Sequence, residues 1–89
     1  MYVGKVIGVV IATTKDESLV GKKLLIVQPL DTKYNPIGNC EVAIDSVGAG
    51  TGEIVLVATG SSARQVFEDL KAPIDRSIVA IVDNIEVNQ

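Results

Sequence analysis

Apolar residues alternate on both faces of the first segment. From Tyr2 to Thr13, Val3, Ile7, Val9 and Ile11 share one parity, while Val6, Val10 and Ala12 share the other with Gly4 and Gly8. This period of two predicts a long first strand with apolar side chains on both sides. Glycines inside such a run mark a bend, a bulge or a close backbone approach. Thr14 to Lys22 is polar and reads as a loop, followed by a strand at Lys23 to Gln28 that Pro29 stops or leaves on an edge. Asp31 to Asn39, with Asn35, Pro36 and Gly38, is a second loop. Cys40 to Val47 alternates with Val42 and Ile44 facing one way, and Gly48, Gly50 and Gly52 break it before a fourth strand at Glu53 to Thr59.

The period changes once, after Gly60. Ser62 stands as a helix N-cap with Gln65 three residues on, and Val66, Phe67 and Leu70 then share a helical face until Pro73. Ser77 to Val82 is a fifth strand, and Ile85 and Val87 extend the pairing after a turn at Asp83 and Asn84. Five strands with short connections and no alternation of strand and helix predict an all-β fold. The expected form is a small closed five-stranded barrel of the oligonucleotide/oligosaccharide-binding type, with one short helix between strands 4 and 5. Periodicity alone leaves a two-sheet sandwich open.

Length and composition change this picture in one respect. The 89 residues form a single domain, 1–89, and a chain of this size buries only about 60 to 65% of its unfolded surface. Yet 47% of the residues are hydrophobic and only Tyr2, Tyr34 and Phe67 are aromatic. The aliphatic supply exceeds what one small barrel interior takes, and the surplus reads as subunit interface; scattered surface Val and Ile are the alternative. A single cysteine, Cys40, excludes an intrachain disulfide and points to a reducing cytoplasm. Met1 to Ala12 is too short to span a bilayer and carries Lys5, so no membrane partner is expected. With 8 basic against 11 acidic side chains and a net charge of −3, the chain lacks the cationic footprint of a nucleic-acid binder.

Candidate chemistry is sparse. The absence of histidine removes the commonest general base and metal ligand, so neither an enzyme nor a metal or cofactor site is expected. Ser61 and Ser62 sit in GSSAR rather than the GxSxG of a nucleophile elbow. The loop Gly48, Ala49, Gly50, Thr51, Gly52 invites a phosphate-cradle reading, but it runs from strand to strand and is followed by Glu53, which repels phosphate. Asp45 and Glu53 flank it and read as hydrogen-bonding or ion-pairing carboxylates, with Arg64 or Arg76 as candidate partners.

These residues carry a resemblance that spans nearly the whole chain. A DxVGAGxGExVL run at 45–56 followed by GSSAR at 60–64, with IATTKDESLVGKKLLIVQPLD before them and APIDRSIVAIVDNIEV after, resembles the EutN/CcmL family of bacterial microcompartment vertex proteins. The resemblance implies a homopentamer of barrels that plugs the five-fold vertices of a polyhedral shell otherwise tiled by hexameric shell proteins. The implied location is the microcompartment shell in the cytoplasm. It also implies that Gly48, Ala49, Gly50, Gly52 and Glu53, with Ser61, Ser62, Ala63 and Arg64, lie at the subunit boundary or ring axis, Arg64 pairing with a carboxylate. Two features depart from the family pattern: Ile54 where members often carry a bulky aromatic, and a sequence ending at Gln89 where many continue into a tail. The competing function is a barrel module that binds a small anion or a nucleic-acid ligand.

Overall fold

The computed structural model describes residues 1–67 and 73–88. Strands β1 (Tyr2–Val10), β2 (Leu24–Leu30), β3 (Glu41–Asp45), β4 (Ile54–Thr59) and β5 (Arg76–Ile81) close into a barrel in the order β1-β2-β3-β5-β4. A one-turn helix α1 (Ser61–Gln65) lies between β4 and β5, and a 3-10 turn at Glu17–Leu19 interrupts the first loop. Closure excludes the sandwich. Four seams are antiparallel, and the fifth, between β3 and β5, is parallel and holds only the pairs Ile44↔Ser77 and Asp45↔Ile78. A parallel seam needs a crossover, which β4 and α1 supply.

The first strand is shorter than its pattern and is not buried on both sides. Pairing runs Val6↔Val27 and then Gly8↔Ile26, so Ile7 is the extra residue of a bulge and the later residues change face. Ile7, Val9 and Ile11 remain 47%, 52% and 90% exposed. The glycines do what a strand glycine implies. Gly8 sits beside the bulge, and a Cβ on Gly4 would lie inside van der Waals contact of Val27 Cγ1 and 3.0 Å from Gln28 O. Pro29 stays within β2, opposite Gly4, and its carbonyl accepts from Ile37 N at 3.0 Å. Its missing N–H points the same way, beyond the Val27↔Glu41 pair where β3 stops, so no ladder bond is lost.

Two apolar clusters result. Val6, Leu25, Val27, Ala43, Val55, Val57 and Ile78 fill the barrel, and Ala49 reaches in from the glycine loop. Outside the wall, Ile44, Ala63 and Ile74 pack with Leu19, Leu24 and Phe67 beneath α1. Register places Ala43 inward opposite Leu25, and Val42 and Ile44 outward opposite Ile26 and Leu24. Ile44 is covered, whereas Val42 is 49% exposed. The expected cap is corrected: Gly60, not Ser62, is the N-cap of α1, with φ 66° and no side-chain cap bond. Of the expected helical face, Phe67 packs inward, Val66 is exposed, and Leu70 lies outside the described residues. Ile85 and Val87 lie outside any strand; the chain past β5 is tied by Val82 N to Ile54 O at 2.8 Å.

Gly4→Ala is expected to destabilise the fold by about 1–3 kcal/mol through overpacking against β2. A lower urea midpoint at unchanged m-value measures this.

Candidate functional site

The glycine loop is built around one carboxylate. Asp45 ends β3 with its side chain only 3% exposed. Its Oδ1 accepts from Val47 N at 3.1 Å, and its Oδ2 accepts from Gly48 N at 2.9 Å and Ala49 N at 3.0 Å. Lys23 Nζ stands 3.7 Å from Oδ2 and donates to Ala49 O at 2.6 Å. This short-range pattern, a carboxylate capping the amides two to four residues on, is the usual habit of Asp at a turn. Gly48 and Gly52 adopt φ of 81° and 94°, a region that L side chains seldom enter. The second half of the loop is fixed the same way: Glu53 Oε1 accepts from Gly50 N at 2.7 Å while Glu53 N donates to Gly50 O at 3.1 Å. Gly52 N to Val6 O at 2.8 Å and Val6 N to Glu53 O at 3.0 Å then stitch the loop to β1.

The GSSAR motif is a separate structure. Ser61 and Ser62 are exposed, and Ala63 is fully buried, its carbonyl accepting from Ser77 Oγ at 2.7 Å. Arg64 Nη1 donates to Ile74 O at 3.2 Å, and its buried Nε has no hydrogen-bond partner among the described residues. Glu53 precedes β4 and Gly60 follows it. Six strand residues at ~3.3 Å each set the two motifs about 20 Å apart, at opposite ends of the barrel. They cannot form one pocket. The candidate partnerships are corrected as well: Asp45 faces Lys23, Glu53 holds a backbone amide, and Arg76 turns to Glu41 and Asp75.

A third constellation escaped sequence reading. Tyr2, Glu41 and Arg76 begin β1, β3 and β5, and they meet at the α1 end of the barrel. The Tyr2 hydroxyl donates to Glu41 Oε2 at 2.7 Å, while Arg76 donates through Nε and, at 3.2 Å, through Nη2. Arg76 Nη1 also reaches Asp75 at 2.7 Å. Burial, then the hydrogen bond to Glu41, pushes the Tyr2 phenol well above its ordinary value. The Tyr2 hydroxyl and then Arg76 hold Glu41 below the usual carboxylate range. The partners stand 35 and 39 residues apart in sequence, so no spacing could signal them.

What this arrangement does chemically is orient backbone and tie strand ends. The loop amides that could cradle an anion are occupied by the chain's own carboxylates. The fold and site therefore define a small closed barrel with rigid corners and aliphatic outer walls, a module that works through its surface.

Residues 1–83 match the family model described as ethanolamine utilisation protein EutN/carboxysome. The chain is 54% identical to the bacterial microcompartment shell vertex protein GrpN of Rhodospirillum rubrum, covering 97% of each. It is 48% identical to the carboxysome shell vertex protein CcmL of a Synechocystis species, over 98% of this chain and 87% of the relative. A solved structure of the GrpN pentameric microcompartment shell protein from Rhodospirillum rubrum superposes with a TM-score of 0.90 at 52% identity, over 99% of this chain and all of the other. The chain belongs to the EutN/CcmL family of bacterial microcompartment shell vertex proteins. It is a structural component of the shell, not an enzyme.

Asp45→Ala leaves Val47, Gly48 and Ala49 amides without their acceptor, and a loss of about 1–3 kcal/mol in urea unfolding is expected. The Glu41 cluster predicts a pH effect. A folded-state pKa below the unfolded value contributes stability above the unfolded pKa and loses it as pH falls through the folded one. Stability should therefore decline below about pH 4.5, near the ordinary carboxylate value. Glu41→Gln should flatten part of that acid limb in unfolding measured from pH 7 to pH 2. Among the described residues, Asp16, held low by the Ser18 hydroxyl and amide, and Asp31, held low by the Asn35 and Lys33 amides, act in the same direction.

Proposed function

We propose that five copies of this chain close into a ring that caps the five-fold vertices of a microcompartment shell, flanked by hexameric shell proteins. The observation that carries the reading is the aliphatic character of the outer wall. Ile7 and Val42 lie within strands, face outward and are 47% and 49% exposed. A barrel that worked alone would place polar side chains at such positions. The pentameric state of the Rhodospirillum rubrum relative supports five-fold closure. A ring joins two different patches, one on each neighbour. A sheet tiled by hexagons closes into a polyhedron only with five-fold positions, so the contribution of the ring is geometric.

The two motif regions belong to this proposal at different places. Ala49 and Ala63 are fully buried within one subunit and support the motifs from inside. Gly48, Gly50, Gly52 and Glu53 at one barrel end, and Ser61, Ser62 and Arg64 at the other, remain as candidates for the subunit boundary or ring axis. The anion-binding alternative is disfavoured by the occupied amides of Val47, Gly48, Ala49 and Gly50.

Native mass spectrometry should give a dominant species at five times the 9.4 kDa of one chain. Arg64→Ala and Gly50→Val should each lower the pentamer fraction. Unchanged pentamers from both would remove these motifs from the ring contact, and a wild-type monomer would remove the ring.

A further inference from the structure

The barrel closes on its shortest ladder. β3 and β5 share only the pairs Ile44↔Ser77 and Asp45↔Ile78, whereas the shortest antiparallel seams, β1/β4 and β2/β3, each hold four. Parallel pairing is also slightly less stable per residue. Polar side chains finish this seam at both ends. At the glycine-loop end, the Ser46 amide and hydroxyl both donate to Ile78 O, at 3.3 and 2.6 Å. At the α1 end, Arg76 directly precedes the first pair and donates through Nε and Nη2 to Glu41, which lies just upstream of Ile44 on β3.

The closure at the α1 end crosses the barrel instead of following one wall. Tyr2 shares strand parity with Val6, Glu41 with Ala43, and Arg76 with Ile78, and Val6, Ala43 and Ile78 line the interior. All three polar side chains therefore turn into the barrel mouth. In the order β1-β2-β3-β5-β4, β1 is the strand farthest from the seam. The Tyr2 ring packs on the inner cluster and its hydroxyl donates to Glu41 Oε2 at 2.7 Å, so one carboxylate is held from the opposite wall by Tyr2 and from across the seam by Arg76. Asp75 Oδ2 accepts from Arg76 Nη1 at 2.7 Å and steadies the guanidinium from outside. The Arg76 and Glu41 side chains are 31% and 30% exposed, and a partly buried pair is screened much less than a surface one.

We propose that this barrel opens at the β3/β5 seam at a lower free energy than it unfolds, and that Tyr2, Glu41 and Arg76 form the latch that holds the seam shut. Opening there leaves β1 paired with β2 and β4. It breaks two backbone pairs and parts Ile44 and Leu24 from Ala63 and Ile74 on the outside, while α1 stays with β5 through Ser77 Oγ on Ala63 O. The opened form bares one edge of β3 and one of β5, and bare edges are templates for pairing with another chain. The latch thus guards against strand exchange between copies. The inference concerns the single subunit and stands apart from the ring reading above.

Amide hydrogen exchange of the assembled protein, followed by NMR at rising sub-denaturing urea, tests this. The amides that bond across the seam, Ser46 among them, should exchange about tenfold or more faster than those of β1 and β2, with a shallower urea dependence, as local opening requires. Tyr2→Phe and Glu41→Gln are near-isosteric, and each should speed the seam amides by about a further tenfold, the scale of a hydrogen bond to a charged group. The double variant should add little to the larger single effect, because both changes act on one carboxylate. Seam amides as protected as those of β1 and β2 overturn the local opening. A distinct seam group whose exchange responds to neither variant overturns the latch. Native mass spectrometry of the same samples reads the ring independently, so a failure of either reading shows on its own.

Discussion

The interior of a five-stranded barrel is small, and that limit governs where every other aliphatic side chain goes. Eight residues, none larger than Leu or Ile, fill it, and two of the eight are alanines. The chain supplies far more aliphatic residues than that, so the remainder must lie on the outside of the wall. Some are roofed there. Helix α1 and the 3-10 turn cover Ile44 and Ile74 and build a second small core. Others, on β1 and at Val42, have no cover within one subunit. Burial of such surface is the main favourable term in association. A domain this small gains from it in proportion, because its own core supports only marginal stability.

Rigidity at the barrel corners comes from carboxylates rather than from packing. Asp45 gathers three consecutive amides and Lys23, while Glu53 holds Gly50, so the loop between β3 and β4 is fixed from both ends. This lets Ala49 plug the interior and hands the chain to β1 through Val6. At the other end, Glu41 gathers Tyr2 and Arg76 and so ties three strand starts together. The two devices differ in reach. The first is local and was readable as a turn, whereas the second joins residues brought together only by barrel closure.

For a shell vertex protein, corners of this kind have a direct use. A ring closes at five only if each subunit presents its two contact patches at a constant angle, and a deformable loop between the walls would blur that angle. The loop's glycines serve the backbone geometry and its carboxylates occupy the amides, so a motif that resembles an anion cradle becomes a structural corner.

The sequence by itself determined the strand count, the helix between the fourth and fifth strands, the strand-to-strand nature of the glycine loop and, through GAGTGE and GSSAR, the family. These are local or compositional features, and periodicity and turn chemistry act within a few residues. The tertiary structure alone decided the rest. A bulge at Ile7 shifted the faces of β1, because pairing with β2, not alternation, fixes which side a residue takes. The cap passed from Ser62 to Gly60 because the Gly60 amide is held by Asp75 O, a residue fifteen positions away. Glu41 found Arg76, and the two motifs were set at opposite ends of β4. Each depends on closure of the barrel, which joins residues that no spacing along the chain relates.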